Sequence, residues 1–313
     1  MLKLYRLVGN ELKKIFAKKM IWSIVLVVLV SVVGVAMLTQ SSKVIDTKTT
    51  YTKDWEKQLV EQNKKLAADK KANPVHVKHR IEKNNYYLKH HLKPNHYQAG
   101  DFLIDNAFLT ALISLITIVV AGGSIANEFT YGTIKQLLIR PVSRTVILIS
   151  KYIAMILFSG IMMVILLAIT YIVGLIFFGS TSINPELVFE RPDHFAKNTL
   201  WNETFLIYGL KLIHVISLGT FGFMVSSILR NNGLAIGLSM FIMFLGSTVS
   251  AFITQYEWSK YLLFTNSDLS RYFHFIGPFR DDMTFSFSAT VTAVYIVIFL
   301  ILAWVAFVKR DVN

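Results

Sequence analysis

Cysteine is absent from all 313 residues, which excludes disulfides and thiolate-held metals. Catalytic signatures are missing too. There is no GxxxxGK[ST] phosphate loop, no HExxH, no GxSxG elbow and no GxGxxG, so no route to ATP lies on this chain and no cofactor is expected on it. The apolar runs hold almost no paired carboxylates, nucleophiles or bases, so intramembrane catalysis has little to work with and no enzyme is expected. Acids are outnumbered, 19 against 32 Lys and Arg, for a formal charge of +13. That excess raises nucleic acid as a partner. The basic residues, however, sit beside apolar runs and in one loop, not in an aromatic-interleaved patch, so no nucleic-acid partner is expected. A small-residue cleavage site is also lacking after the first apolar run, which reads as a retained span.

What the chain does have is apolar length. Hydrophobic residues make up 54% and the mean hydropathy is +0.51. Several runs reach the roughly 20 residues that cross a bilayer core as a helix. The expected fold is an all-α integral membrane protein with six transmembrane helices: Met20 to Leu38, Phe102 to Ala126, Val146 to Phe178, Phe205 to Leu229, Gly233 to Ile253, and Phe285 to Val308. Residues 1–19 precede this six-span domain of 20–313. In that segment Tyr5, Val8, Leu12 and Ile15 recur at helical spacing among Lys13, Lys14, Lys18 and Lys19, a basic amphipathic helix expected to lie with its stripe in lipid.

Flanking charge orients the spans. The N-terminal lysines, Lys135, Arg140, Arg144, Lys151, Arg230, Lys309 and Arg310 all fall on one side of a six-span plan, which the positive-inside rule makes cytoplasmic, with both termini. The basic loop of 40–100 then lies outside, as long loops translocate largely regardless of charge. Within it Trp55, Leu59 and Leu66 suggest one helix, Ile81, Tyr86, Tyr87 and Leu88 a second, and Asn73-Pro74 a turn between them. Its histidines His76, His79, His90, His91 and His96 lack carboxylate support and a clean i,i+4 pair, so no metal site is expected. The aromatic connection 255–284, with Trp258, Tyr261, Phe264, Tyr272 and Phe273, reads either as short helices re-entering the outer leaflet or as an aromatic belt.

Ionisable groups inside spans are few. Lys211 and His214 share one face of the fourth span. They either line a substrate path or snorkel and pair, with Asp105 or Glu203 as the expected counter-charge. Gly233 and Gly237 give a GxxxG spacing suited to close helix packing at a subunit interface.

The most informative stretch is Asn127 to Arg144. Tyr131, Ile134, Leu137 and Leu138 gather on one stripe of a helix, with Gly132, Thr133, Gln136 and Arg140 facing away, and Pro141 ends it. Asn127-Glu128, Tyr131-Gly132-Thr133, Leu137-Leu138, Arg140-Pro141-Val142-Ser143-Arg144 and Lys151 resemble the first cytoplasmic loop of ATP-binding-cassette (ABC) type-2 permeases, with its E-x-x-x-G-T and P-[VI]-S-R pattern and a Lys in the next span. The match spans some 25 residues, and the rest agrees in topology. The resemblance implies that Glu128 to Arg140 include a coupling helix docked on a separate ATPase subunit, which binds ATP and Mg. Asn127, Glu128, Tyr131, Gly132, Thr133, Gln136 and Arg140 would then transmit force, Glu128 offering its charge to a basic residue of the ATPase. It also implies that 1–19 is the connecting helix and that 255–284 are re-entrant outer helices. The partners implied are two ATPase copies and a second permease, as homodimer or heterodimer, in a bacterial plasma membrane. Stand-alone Gram-positive permeases of the bacitracin-resistance and lantibiotic-immunity kind are most similar in plan, which points to antimicrobial peptide resistance. The alternative is a membrane sensor binding an extracellular peptide through 40–100.

Overall fold

Apolar length decides the architecture, because a helix satisfies its own backbone polar groups where water is absent. The computed structural model describes residues 2–41, 54–68, 74–133, 142–180, 185–229 and 231–309. Six of its helices are long and apolar enough to cross a membrane, and sheet is almost absent. The chain is a helical, multi-pass membrane protein.

Helix α1, Leu2–Phe16, leads through a turn at 17–18 into α2, Lys19–Ser41, the first span. Trp22 Nε1 donates to the Phe16 carbonyl at 3.1 Å across that turn. Two short polar helices follow, α3 (Trp55–Ala68) and α4 (Pro74–Lys89). They meet through amides: Asn84 Nδ2 donates to Asn63 Oδ1 at 2.7 Å, and Asn63 Nδ2 to Asn85 Oδ1 at 3.0 Å.

The second apolar run is not one helix. It divides into α5, Ala99–Asp105, a 3-10 turn at Ala107–Leu109, and α6, Thr110–Ser124. Asn106 makes the break, its amide donating to the Phe102 carbonyl at 2.7 Å, and the Thr110 hydroxyl donates to Ala107 at 2.7 Å. The candidate span is therefore Ala107–Ser124, shorter than the expected Phe102 to Ala126. Helix α7 is a single turn or so, Ala126–Thr130. The third span, α8, runs 35 residues from Arg144 to Phe178, about 50 Å at the α-helical rise, well beyond a hydrocarbon core of about 30 Å.

An antiparallel pair then interrupts the all-α expectation: β1, Glu186–Glu190, and β2, Phe195–Thr199, in register from Glu186–Thr199 to Glu190–Phe195. The last spans are α9 (Leu200–Ile228), α10 (Asn232–Phe252) and α12 (Phe285–Val308). Between α10 and α12 lie a 3-10 turn at Glu257–Tyr261, α11 (Leu263–Asn266) and a 3-10 turn at Leu269–Phe273.

Helix α9 is the hub, packing on α6 and α12 and touching α8 and α10. Without a hydrophobic drive between helices in lipid, contact depends on small residues that admit close approach. Gly219 of α9 meets Thr117 and Met155, and a Cβ there would lie 2.8 Å from the Thr117 methyl. Gly122 of α6 faces the backbone of Ile236 at 3.3 Å. Hydroxyls inside the spans return to their own helix, as Ser159 does to Met155 at 2.8 Å and Thr220 to Ile216 at 2.7 Å.

Helix α1 lies against α8. Val8 is buried, and Leu12, Ile15 and Phe16 pack on the main core. Most of the stripe expected to face lipid thus faces protein, and only Tyr5 is left 80% exposed. The physical reason is packing against α8, where Phe16 and Phe158 stand 5.5 Å apart.

Candidate functional site

Of the residues singled out between the second and third spans, Glu128 and Thr133 meet Lys151 in one cluster. Helix α7 begins where two backbone N–H groups, those of Ile125 and Ala126, donate to the Ser226 hydroxyl of α9 at 3.1 and 3.0 Å. Side-chain capping of the first N–H groups is what a helix this short needs. It closes at Thr130, whose hydroxyl accepts from the Asn232 N–H at 3.2 Å. Gly132 follows with φ +69, the left-handed conformation that stops a helix and that glycine adopts without steric cost. The continuous helix expected from 127 to Pro141 is therefore broken at Gly132. Residues 134–141, with Gln136 and Arg140, lie outside the described residues.

Glu128 is the centre. Lys151 of α8, 2% exposed at its side chain, donates to Glu128 Oε1 at 3.0 Å and to Glu11 Oε2 of α1 at 2.9 Å. Lys14 of α1 stands 3.3 Å from Glu11 and 3.5 Å from Glu128. The Thr133 hydroxyl closes the ring with a very short hydrogen bond to Glu128 Oε2. Two carboxylates and two ammoniums are thus balanced across three helices. Burial pushes the Glu128 carboxyl up, but the Lys151 ammonium and the Thr133 and Lys151 hydrogen bonds outweigh it and hold it at about 2. Burial likewise opposes the charge on Lys14, and Glu11 and Glu128 more than offset it, leaving that ammonium raised. An open cavity of about 610 Å³ adjoins the cluster, walled by Leu7, Asn10, Lys13, Val142 and Ile147.

The charge of Glu128 is thus directed into its own chain. Asn127 turns toward the bundle, its amide beside Gly123, while Tyr131 is 74% exposed. Glu11, Lys14 and Ser226 are parts of this site that reading the sequence did not assign to it.

Lys211 and His214 lie near the middle of α9, several turns from Ser226. Lys211 pairs with Asp268 at 2.9 Å, and His214 Nδ1 lies 2.9 Å from the Ser267 hydroxyl. The counter-charge is neither of those expected. Glu203 is fully buried and bound bidentately by Arg191 of the β1–β2 turn, both contacts at 2.7 Å, and Asp105 accepts from the Tyr97 hydroxyl at 3.1 Å. Lys211 takes Asp268 because the 255–284 segment folds back onto α9, bringing its acid nearer than either. Arg191 also donates to the Phe273 carbonyl at 2.8 Å and sits 5.3 Å over the Phe273 ring, so the β-turn, α9 and the same segment are fastened together.

Of the histidines, His91 faces Glu56 at 3.2 Å and His90 stacks on Tyr86 at 4.3 Å. The side chains of His76 and His79 lie outside the description. Among the described residues no group of three metal-ligating side chains comes together.

The family described as "Protein of unknown function (DUF2705)" matches residues 78–313. "Uncharacterized protein YhcI" of Bacillus subtilis (strain 168) is 34% identical over 314 residues, covering 98% of each chain. "Uncharacterized membrane protein YdbK" of the same organism is 31% identical over 207 residues, 66% of this chain and 80% of that protein.

Proposed function

The chain belongs to the DUF2705 family, and from the cluster joining α1, α7 and α8 we propose that it is the membrane-spanning permease subunit of an ABC exporter. Two copies of a separate ATPase would drive it, moving a substrate outward through a pair of such permeases. The observation that carries this reading is Lys151, held between Glu128 and Glu11. A loop that only joined two spans would need no buried ion-pair network at its root. A loop pushed from outside does, because the push must reach the spans as a rigid displacement.

Under this reading the segment beginning at Asn127 is the handle. Tyr131 and the residues after Gly132 meet the ATPase, and Glu128 fastens the handle to α1 and α8 instead of reaching across to the partner. The basic end is cytoplasmic, in a bacterial plasma membrane, and α3, α4, the β-pair and the 255–284 segment face outward. Lys211 and Asp268 then lie across the outer half of the path.

Affinity purification of the full-length chain from its native membranes in mild detergent tests the proposal. An ABC ATPase in equimolar amount, with ATP hydrolysis by the complex that Glu128→Ala abolishes, is the expected result. A chain that purifies alone, or with a histidine kinase and no ATPase, overturns it. The kinase outcome supports the sensor reading, for which the surface of α3 and α4 is the peptide-binding element.

A further inference from the structure

A groove of about 330 Å³ opens on the flank of the bundle, away from the ion-pair cluster and the Lys211 pair. Its walls are Ile149 and Tyr152 of α8, Phe223 of α9, and Val297, Ile301 and Trp304 of α12. Nearly all of its surface is apolar. Ile149, Val297 and Ile301 are exposed, so the slot opens sideways, in the band where apolar residues meet lipid tails. One end is different. There Trp304 Nε1 donates to the Thr145 hydroxyl at 3.2 Å and the Arg144 guanidinium to the Val308 carbonyl at 3.4 Å. Lys309, next along from Val308, is exposed at the same end. Neither α8 nor α12 carries an acidic residue.

We propose that this groove is a binding site for an anionic phospholipid of the leaflet at the basic end, with an acyl chain in the slot and the phosphate between Arg144 and Lys309. The chemistry selects this occupant in two steps. An acyl chain gains little by leaving other acyl chains for Ile and Val, since lipid tails are as apolar as the walls. Retention must therefore come from the headgroup, and two cations at the mouth with no carboxylate on either helix favour a net negative one. Trp304 sits at headgroup level, where indoles settle in membranes, and its bond to Thr145 holds it as a fixed side wall. A second protein chain would need the flank flat and covered, whereas a tail needs a slot with a charged mouth.

The leaflet assignment rests on the topology proposed above, but the site does not need the ATPase. Delipidated full-length protein is titrated with phosphatidylglycerol and with phosphatidylcholine of matched chains, and bound lipid is counted by native mass spectrometry. Phosphatidylglycerol is expected to bind at roughly tenfold lower concentration or better, the order set by two surface cations. Arg144→Gln with Lys309→Gln is expected to bring it to the phosphatidylcholine level. Ile301→Trp, which fills the slot, removes the retained lipid while the unfolding temperature is kept. Equal retention of the two lipids, indifference to the double variant, or a dimer that covers the groove and excludes lipid would each overturn the site. Thiol labelling of Tyr5→Cys in intact cells fixes the side of the basic end separately, so loss of the transport reading leaves this result interpretable.

Discussion

Lys151 is held by two carboxylates, one 23 residues away and one 140 residues away in the chain. With its side chain 2% exposed, it cannot fall back on water when a partner is removed, and breaking a buried pair costs about 3 kcal/mol or more. Lys151→Met is therefore expected to release α1 from α8 with membrane insertion kept and, under the proposed transporter reading, to abolish ATP-driven export. The pH dependence follows from the same charges. Glu128 is depressed from 4.5 to about 2 in the fold, so its contribution is full above about 4.5 and is lost as pH falls toward 2. Lys14 is raised above 10.5, so its contribution is full below that value and is lost as pH rises past it. The fastening is complete between about pH 5 and 10. A spin label on Tyr5→Cys, the chain's single thiol, reads it: α1 is expected to be immobile at pH 7 and to loosen below about pH 4. Lys151→Met should already be loose at pH 7, and a label indifferent to both changes would remove the cluster's assigned role. Glu128 and Lys151 stand in the motif that the sequence singled out. Lys14 was legible only as part of a basic stripe and Glu11 not at all, because a partner more than 100 residues away leaves no local pattern.

At the scale of elements, the β-pair is the feature that ties the segments between the spans together. Tyr86 of α4 stacks on Phe195 of β2 at 5.1 Å, and Lys83 reaches Glu190 of β1 at 3.5 Å. The turn between the strands then sends Arg191 into Glu203 and Phe273. Glu203→Gln leaves the Arg191 charge buried without its counter-ion, and a loss of about 3–5 kcal/mol is expected in thermal unfolding of the detergent-solubilised protein. Arg191→Met with Glu203→Leu removes both charges and should cost less than either single change. A double variant as damaged as the sum of the singles would show that the pair does not act as a unit. Periodicity and apolar length made four of the six spans readable to within about three residues, and the fourth span begins five residues earlier than expected. They failed where the chain bends without losing hydrophobicity, at Asn106, since a break made by one amide leaves the apolar run intact. The strands escaped because five residues each, set among Pro185, Pro192 and charged neighbours, carry no alternation long enough to stand out.

In the whole molecule burial is uneven from span to span. In the apolar window of the second span 67% of residues are buried, against 18% for α10. Helix α10 turns Leu238, Phe241, Leu245 and Val249 outward, and a Cβ on Gly237 would meet nothing within 4 Å. Lipid covers such a face adequately, so exposure alone does not call for a partner. Gly237 offers a test: a glycine in the middle of an exposed helix lowers its propensity without helping any contact inside the chain, and it would admit the close approach of a second helix. If a second permease copy lies there, Gly237→Leu is expected to leave the stability of the monomer unchanged or raised by up to about 1 kcal/mol. It should shift the purified protein from dimer to monomer by native mass spectrometry. Gly219→Leu, aimed at the Thr117 and Met155 contact inside the chain, should do the reverse, lowering stability before any change in assembly. A Gly237→Leu protein that remains fully dimeric would move the interface off α10 and leave that helix facing lipid.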